Sequence, residues 1–224
     1  MVTTMTAARR WMKDNRGFLV FLLCFGFFRT AMADWNPIPS ASMRPTLLEG
    51  DVVLVNRLAY DAKIPLTGIS VARLGEPQRG DVITFTSPQD GVRLIKRLVG
   101  LPGDLIELRG DRLLVNGVIA ETRDTTAVTE PLGDGAVPAL RATEQLGARA
   151  HAVQYLPTVD ARRDFGPIVV PGDSYFFLGD NRDNSADSRY IGVVPRSLLI
   201  GRAHHVLVSV DLTGNLLPRL ARFG

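Results

Sequence analysis

The chain has 224 residues, enough for one domain, or one domain carrying an insertion, to bury a real core. Hydrophobic residues make up 46% and charged residues 22%, which places it with ordinary globular proteins. The net charge of +3 has its excess largely in the first sixteen residues, beside an apolar run, which marks the flank of a membrane segment more than a nucleic-acid surface, and a single cysteine excludes an intrachain disulfide framework or a cysteine-based metal site.

Arg9, Arg10, Lys13 and Arg16 outnumber Asp14 at the start of the chain. Gly17 to Phe28 then reads GFLVFLLCFGFF, twelve residues without a charge. Cys24, inside this run, reads as a small hydrophobe. Arg29 interrupts, and Ala31-Met32-Ala33 leads to Asp34-Trp35. Three readings fit the residues. One is a secretory signal cut at Ala31-Met32-Ala33. The second is an uncleaved anchor over 17–35, with Arg29 snorkelling and Trp35 at the interface. The third is a buried helix. The first two send the remainder of the chain across a membrane, and the basic flank keeps 1–16 in the cytoplasm.

From residue 50 onward the pattern is one of strands and turns. Gly50-Asp51, Gly80-Asp81, Gly103-Asp104 and Gly172-Asp173 each precede an apolar run rich in β-branched or aromatic residues. Their irregular intervals mark turn chemistry, not an internal repeat. Leu113-Leu114-Val115, Asn116-Gly117 and Val118-Ile119 predict a hairpin with a type I′ turn. His205 to Val210 predicts another strand. Residues 123–164 are rich in Ala, Thr, Arg, Gly and Pro, with few strand-like runs, and Leu140 to Ala150 is predicted as a short helix. Strand signals resume at Ile168-Val169-Val170. The chain is therefore expected to be mainly β, with short strands and many turns.

Three islands are candidates for chemistry. In the first, Ile38-Pro39-Ser40-Ala41-Ser42-Met43-Arg44-Pro45-Thr46-Leu47, two prolines stiffen the backbone around a pair of hydroxyls, which suits a nucleophile held in a fixed pose. A simple turn explains the same residues. The second joins GDVITF (80–85) to RLIKRLVGLPGD (93–104). Strand alternation puts Leu94, Lys96 and Leu98 on one face and Ile95, Arg97 and Val99 on the other. One of two adjacent cations must then point among apolar neighbours. A lysine so placed loses solvation and its pKa falls, so that the neutral amine can take a proton from a serine. An edge strand with both cations snorkelling is the alternative. The third island, GDNRDNSADSRY (179–190), alternates acids with arginines. The arginines would neutralise a calcium loop, so internal ion pairs that lock one loop shape are the better reading.

PSASMRPTL, GDVITF with RLIKRLVGLPGD, and GDNRDNSADSRYIG, in this order, closely resemble the type I signal peptidases (leader peptidases) of bacteria. The resemblance covers about a third of the chain beyond the N-terminal segment. It implies a nucleophile at Ser42 and a general base at Lys96. It implies an oxyanion hole from the Ser40 hydroxyl and the Ser42 backbone N–H, with Ser185 orienting the lysine. Arg97, Asp180, Asp187 and Arg189 match charged residues that hold the family's site together. Ile38 and Ile95 match positions lining the pockets for the −1 and −3 substrate side chains, with Met43, Leu47 and Leu94 beside them. The family often has an aromatic residue where this chain has Leu94, and a tryptophan where it has Ile191.

The architecture this implies is an antiparallel, β-barrel-like catalytic domain (36–104 and 168–224). It carries a smaller inserted region (105–167) and follows one N-terminal transmembrane helix (17–35). The implied activity is removal of N-terminal signal peptides from exported preproteins after Ala-x-Ala. It would take place on the outer face of the bacterial cytoplasmic membrane, with signal peptides, membrane lipid and the secretion machinery as partners. No cofactor and no metal are expected, since His151, His204 and His205 lie outside the motifs and show no ligand spacing. A narrower pilin-processing peptidase of the same family, and an anchored peptide-binding protein without activity, are the alternatives.

Overall fold

The computed structural model describes residues 9–65, 67–133, 135–212, 214 and 216–223. Of the basic segment expected at 1–16, residues 1–8 therefore lie outside the described residues. Helical turns over 9–14 lead into α1 (Arg16–Ala31). None of the residues of α1 is buried.

Among the described residues sixteen strands follow α1 in chain order. They are β1 (Ala33–Pro37), β2 (Asp51–Asn56), β3 (Asp61–Lys63), β4 (Ser70–Arg73), β5 (Val82–Thr86), β6 (Arg93–Gly100), β7 (Leu105–Arg109) and β8 (Arg112–Val115). Then come β9 (Val118–Ile119), β10 (Thr122–Leu132), β11 (Gly135–Leu146), β12 (Arg149–Tyr155), β13 (Phe165–Val169) and β14 (Ser174–Leu178). A four-residue α2 (Ser188–Ile191) precedes β15 (Val194–Pro195) and β16 (Leu199–Ser209).

The central sheet has seven strands in the order β1-β2-β16-β5-β6-β14-β15. With β1 and β15 at its two ends it is a half-barrel, open where the expected barrel would close. Every pairing within it is antiparallel. Its strands come from the two sequence segments on either side of 105–167. Within that stretch β7, β8 and β9 join β13 in a second sheet, and β10, β11 and β12 form a third. The expected boundary at 167 falls inside β13.

β6 is covered on both faces, and that fact controls the site. Leu98 packs with Ile83, Phe85 and Phe177, while Val99 packs on the other side with Ile106, Leu113 and Phe176. A third cluster, Ile38, Met43, Leu47, Val53 and Val55, lies beneath the chain between β1 and β2.

Two expectations are corrected. The apolar helix does not run to Trp35: it ends at Ala31, and 33–37 pairs with β2, with Asp34 opposite Val55. Pro37 disfavours helix at the residue before it, and the Asp34 and Asn36 side chains are buried in polar contacts of the sheet. At about 1.5 Å per residue α1 rises about 24 Å, against about 30 Å for a bilayer core. Among the described residues no helix is long and apolar enough to cross a membrane. The helix expected at Leu140–Ala150 is instead the β11–β12 hairpin, turning at Gly147. Its alanines favour helix, but Ala142, Glu144 and Leu146 are buried alternately with less buried neighbours, and the period of two prevails. The predicted hairpin at 113–119 is present, with Asn116 and Gly117 both at positive φ, and the strand predicted at 205–210 lies in β16 through Ser209, with Val210 just beyond its end.

Candidate active site

The nucleophile candidate sits on a short 3₁₀ turn, Ala41–Met43, entered through Ser40 in extended conformation. Ile38 and Met43 drop into the apolar cluster below and pin the turn from both sides. The Ser42 carbonyl accepts the Asn181 backbone N–H at 3.1 Å, and the Asn181 amide donates to the Ala41 carbonyl at 3.1 Å. The first and third islands are thus stitched together through backbone groups. Ser40 Oγ lies 3.3 Å from Ser42 Oγ.

Lys96 reaches the turn from β6. Its Nζ donates to Ser42 Oγ at 2.6 Å, and the residue is only 3% exposed. Burial lowers its pKa to about 8, and the carboxylates of Asp187 and Asp180 hold it from falling further. The neighbouring Arg97 is buried as well. The two cations occupy opposite faces of a doubly covered strand, so the sequence alternation is right and the snorkelling edge is not what forms. Arg97 makes a two-pronged pair with Asp180, Nε to Oδ1 at 2.8 Å and Nη2 to Oδ2 at 2.6 Å, and donates to the Gly80 carbonyl at 2.8 Å.

The loop after β14 carries the remaining charged residues. Arg189 pairs with Asp187 through Nε and Nη2, both at 2.8 Å. Asp187 also accepts the Gly179 N–H at 3.0 Å. Arg182 pairs with Glu144 of β11, and Asp183 accepts the Leu156 N–H at 2.8 Å. Within 180–189 only Asp187 and Arg189 pair with each other, whereas Asp180 pairs with Arg97, Arg182 with Glu144 and Asp183 with Arg163, so the charges expected to pair internally tie the loop mainly to β6, to the third sheet and to the segment before β13. Ser185 Oγ has no hydrogen-bond partner among the described residues; it stands beside Gly179. A methyl at Gly179 would come 2.2 Å from Ser185 Oγ and 2.5 Å from the Ser42 carbonyl oxygen. Only hydrogen fits there.

Of the residues read as pocket-lining, the structure brings Ile38, Met43, Leu47 and Ile95 into one cluster. Leu94 packs elsewhere, with Tyr60, Ile83 and Phe85. Several contributors escape sequence reading. Thr46 donates to Asp180 Oδ2 at 2.5 Å and so ties the nucleophile turn to the Arg97 pair. Thr46 and Arg182 lie within the islands, where their company is a signal. Glu144 and His151 come from a stretch without a motif. His151 Nε2 lies 3.4 Å from Glu144 and 3.9 Å from Asp180. Burial, and then the charge of Arg97, push its pKa down to about 4. Among the described residues no group of His, Cys, Asp and Glu is arranged to hold a metal ion.

A hydroxyl bonded to a buried amine that ionises near pH 8, with a second hydroxyl beside it, can attack a carbonyl and pass its proton to the amine. The comparisons with known proteins agree in kind. The family model described as signal peptidase, peptidase S26, matches residues 9–208. A signal peptidase I of Pseudomonas fluorescens is 36% identical over 94% of this chain and 77% of its own. One of Pseudomonas aeruginosa is 35% identical with the same coverage. One of Rickettsia typhi is 33% identical over 93% of this chain and 84% of its own.

Proposed function

The chain belongs to the signal peptidase family, peptidase S26, as a protease of the signal peptidase I type, and on that footing we propose that Ser42 and Lys96 are its catalytic dyad. The observation that carries the reading is the 2.6 Å contact between Lys96 Nζ and Ser42 Oγ in a buried setting. Neutral Lys96 takes the proton of Ser42 as Oγ attacks the scissile carbonyl. The oxyanion that develops is held by the Ser42 N–H and the Ser40 hydroxyl. The lysine, now charged, protonates the departing amine. It then serves as base again for the water that releases the acyl group from Ser42. Arg97, Asp180, Asp187 and Arg189 keep the lysine's field and position constant, and Ser185 orients its amine once substrate excludes water. Ile95, with Ile38, Met43 and Leu47 behind it, forms the apolar cluster that receives the small −1 and −3 side chains, and Leu94, which packs outside that cluster, is left out of the pocket.

The substrates on this reading are N-terminal signal peptides of exported preproteins, cut after Ala-x-Ala. α1 holds the chain in the bilayer, with the catalytic sheet on the outer face of the cytoplasmic membrane. Its support is chemical: an uncharged run of twelve residues whose Phe18, Leu23 and Phe27 side chains are all exposed among the described residues. Arg16 and Arg29 extend its reach by snorkelling. The test is incubation of the solubilised protein with a secretory precursor, followed by sequencing of the product's N-terminus. Ser42→Ala and Lys96→Ala should each abolish cleavage with the fold retained, because nucleophile and base act as a unit. Near wild-type cleavage by Lys96→Ala would remove the dyad from consideration.

A further inference from the structure

Where α1 meets the central sheet, three arginines surround one carboxylate. Arg29 closes α1, Arg57 follows β2 and Arg93 opens β6. Arg29 Nε lies 3.5 Å, Arg57 Nη1 3.6 Å and Arg93 Nη1 3.1 Å from the carboxylate oxygens of Asp34. Arg93 also donates to Asn36 Oδ1 at 2.8 Å. Asp34 is the inner wall, its side chain 9% exposed. Thr30 and Thr67 complete the lining of a pocket of about 300 Å³. Three positive charges face one negative charge, so the described lining carries a net charge of +2.

This arrangement is unbalanced as a purely structural feature. A carboxylate satisfies one guanidinium well, through two parallel hydrogen bonds, as Asp180 does for Arg97. Here the contacts of Arg29 and Arg57 are ion pairs at distances too long for good hydrogen bonds. All three arginines line the pocket, and their guanidiniums repel one another. A second anion with several oxygens would relieve both conditions, and a phosphate group has that chemistry.

The walls discriminate between sources of phosphate. The Arg29 guanidinium lies 4.3 Å from the centre of the Trp35 ring, and Trp35 in turn meets Phe25 of α1. Along α1 the apolar side chains are exposed, and on the other rim Ile64 and Ile69 are exposed too. A charged notch bounded by apolar surface and an interfacial tryptophan fits a molecule with a phosphodiester next to acyl chains better than a free ion. We propose that the notch formed by Arg29, Arg57 and Arg93 binds the headgroup of an anionic phospholipid. The phosphodiester meets the guanidiniums and the chains lie along α1. This rests on the reading of α1 as the membrane anchor.

Trp35 supplies the probe, since Trp11 is the chain's other tryptophan. The full chain bearing Trp11→Phe is reconstituted in phosphatidylcholine vesicles containing a small fraction of brominated lipid. Brominated phosphatidylglycerol should quench Trp35 at a several-fold lower fraction than brominated phosphatidylcholine. Arg57→Gln and Arg93→Gln should each erode that preference about fivefold, the effect expected for one basic residue at an anionic surface. Arg109→Gln, exposed at the end of β7 and outside the notch, should leave the preference intact. Equal quenching by the two lipids, in chain that stays with the vesicles through an alkaline wash, overturns the headgroup site and leaves the anchor standing. Loss of the chain to the wash overturns both. Displacement of the phosphatidylglycerol signal by soluble glycerol phosphate would make the notch a free-phosphate site, and an equal loss of preference in Arg109→Gln would reduce it to general surface charge.

Discussion

Lys96 is the residue on which chemistry and folding press in opposite directions. A lysine in water is protonated throughout the neutral range. Burial brings this one to about pH 8, close enough to neutrality for a useful fraction to be free base. The charged form cannot accept a proton, so kcat/KM should rise with pH along a single-proton limb centred near 8 and decline below it. His151 is the nearest competitor, but its pKa of about 4 leaves it neutral on both sides of that limb. His151→Gln should therefore keep the limb in place; a wild-type limb near 6.5 that disappears in this variant would assign the proton to histidine. Gly179 is a second test at this scale. The contacts a methyl would make, with the Ser185 side chain and the Ser42 carbonyl, leave no room for it without moving the nucleophile turn. Gly179→Ala should keep the circular dichroism of the wild type while lowering kcat/KM by about 100-fold, the order expected for a displacement near 1 Å.

Among the elements, the C-terminal segment acts on the nucleophile turn from behind. Arg222 donates to the Thr46 carbonyl at 2.9 Å and to both oxygens of Asp51, at 2.6 and 3.2 Å. Asp51 is fully buried at the start of β2. Its burial alone would raise its pKa, but the hydrogen bonds from Arg222, the Leu48 N–H and Ser209 outweigh this and hold the pKa below the ordinary value. A carboxylate with a depressed pKa contributes stability above its unfolded pKa, and the contribution disappears as acid protonates it. Arg222→Gln should thus cost about 1–3 kcal/mol at neutral pH, read from urea midpoints. The gap to the wild type should close below about pH 4. A gap that persisted in acid would mean that packing, and not the charge on Asp51, is what Arg222 supplies.

For the whole molecule, α1 stands apart from the sheets in what holds it. Its residues join none of the buried clusters, whereas β1, directly after it, is zipped to β2 over five residue pairs. A chain starting after Ala31 should therefore keep the thermal transition of the full chain and still cut a short soluble peptide. It should also lose nearly all sedimentation with lipid vesicles. Equal sedimentation of the two chains would show that the sheets themselves carry membrane affinity and that α1 is not the anchor.

How much was legible beforehand follows the range of the forces involved. Turn chemistry is local, so the Gly-Asp turns, the Asn116-Gly117 hairpin and the general β character could be read from neighbours along the chain. The nucleophile turn, the lysine strand and the paired-charge loop were legible as motifs because each packs its chemistry into a dozen residues. Local reading failed at Leu140–Ala150, where alanine content suggested a helix and cross-strand pairing with β10 and β12 decided otherwise. It also placed the end of α1 too late, since the pairing of 33–37 with β2 is a contact across twenty residues. Only the tertiary structure could show that β6 is covered on both faces, which buries Lys96 and Arg97 together. The same holds for the docking of Glu144 and His151 against the charged loop, and of Arg222 against Thr46 and Asp51. Desolvation is a property of the packed surroundings, so a lysine's identity is written in the sequence while its pKa is set by what the fold brings around it.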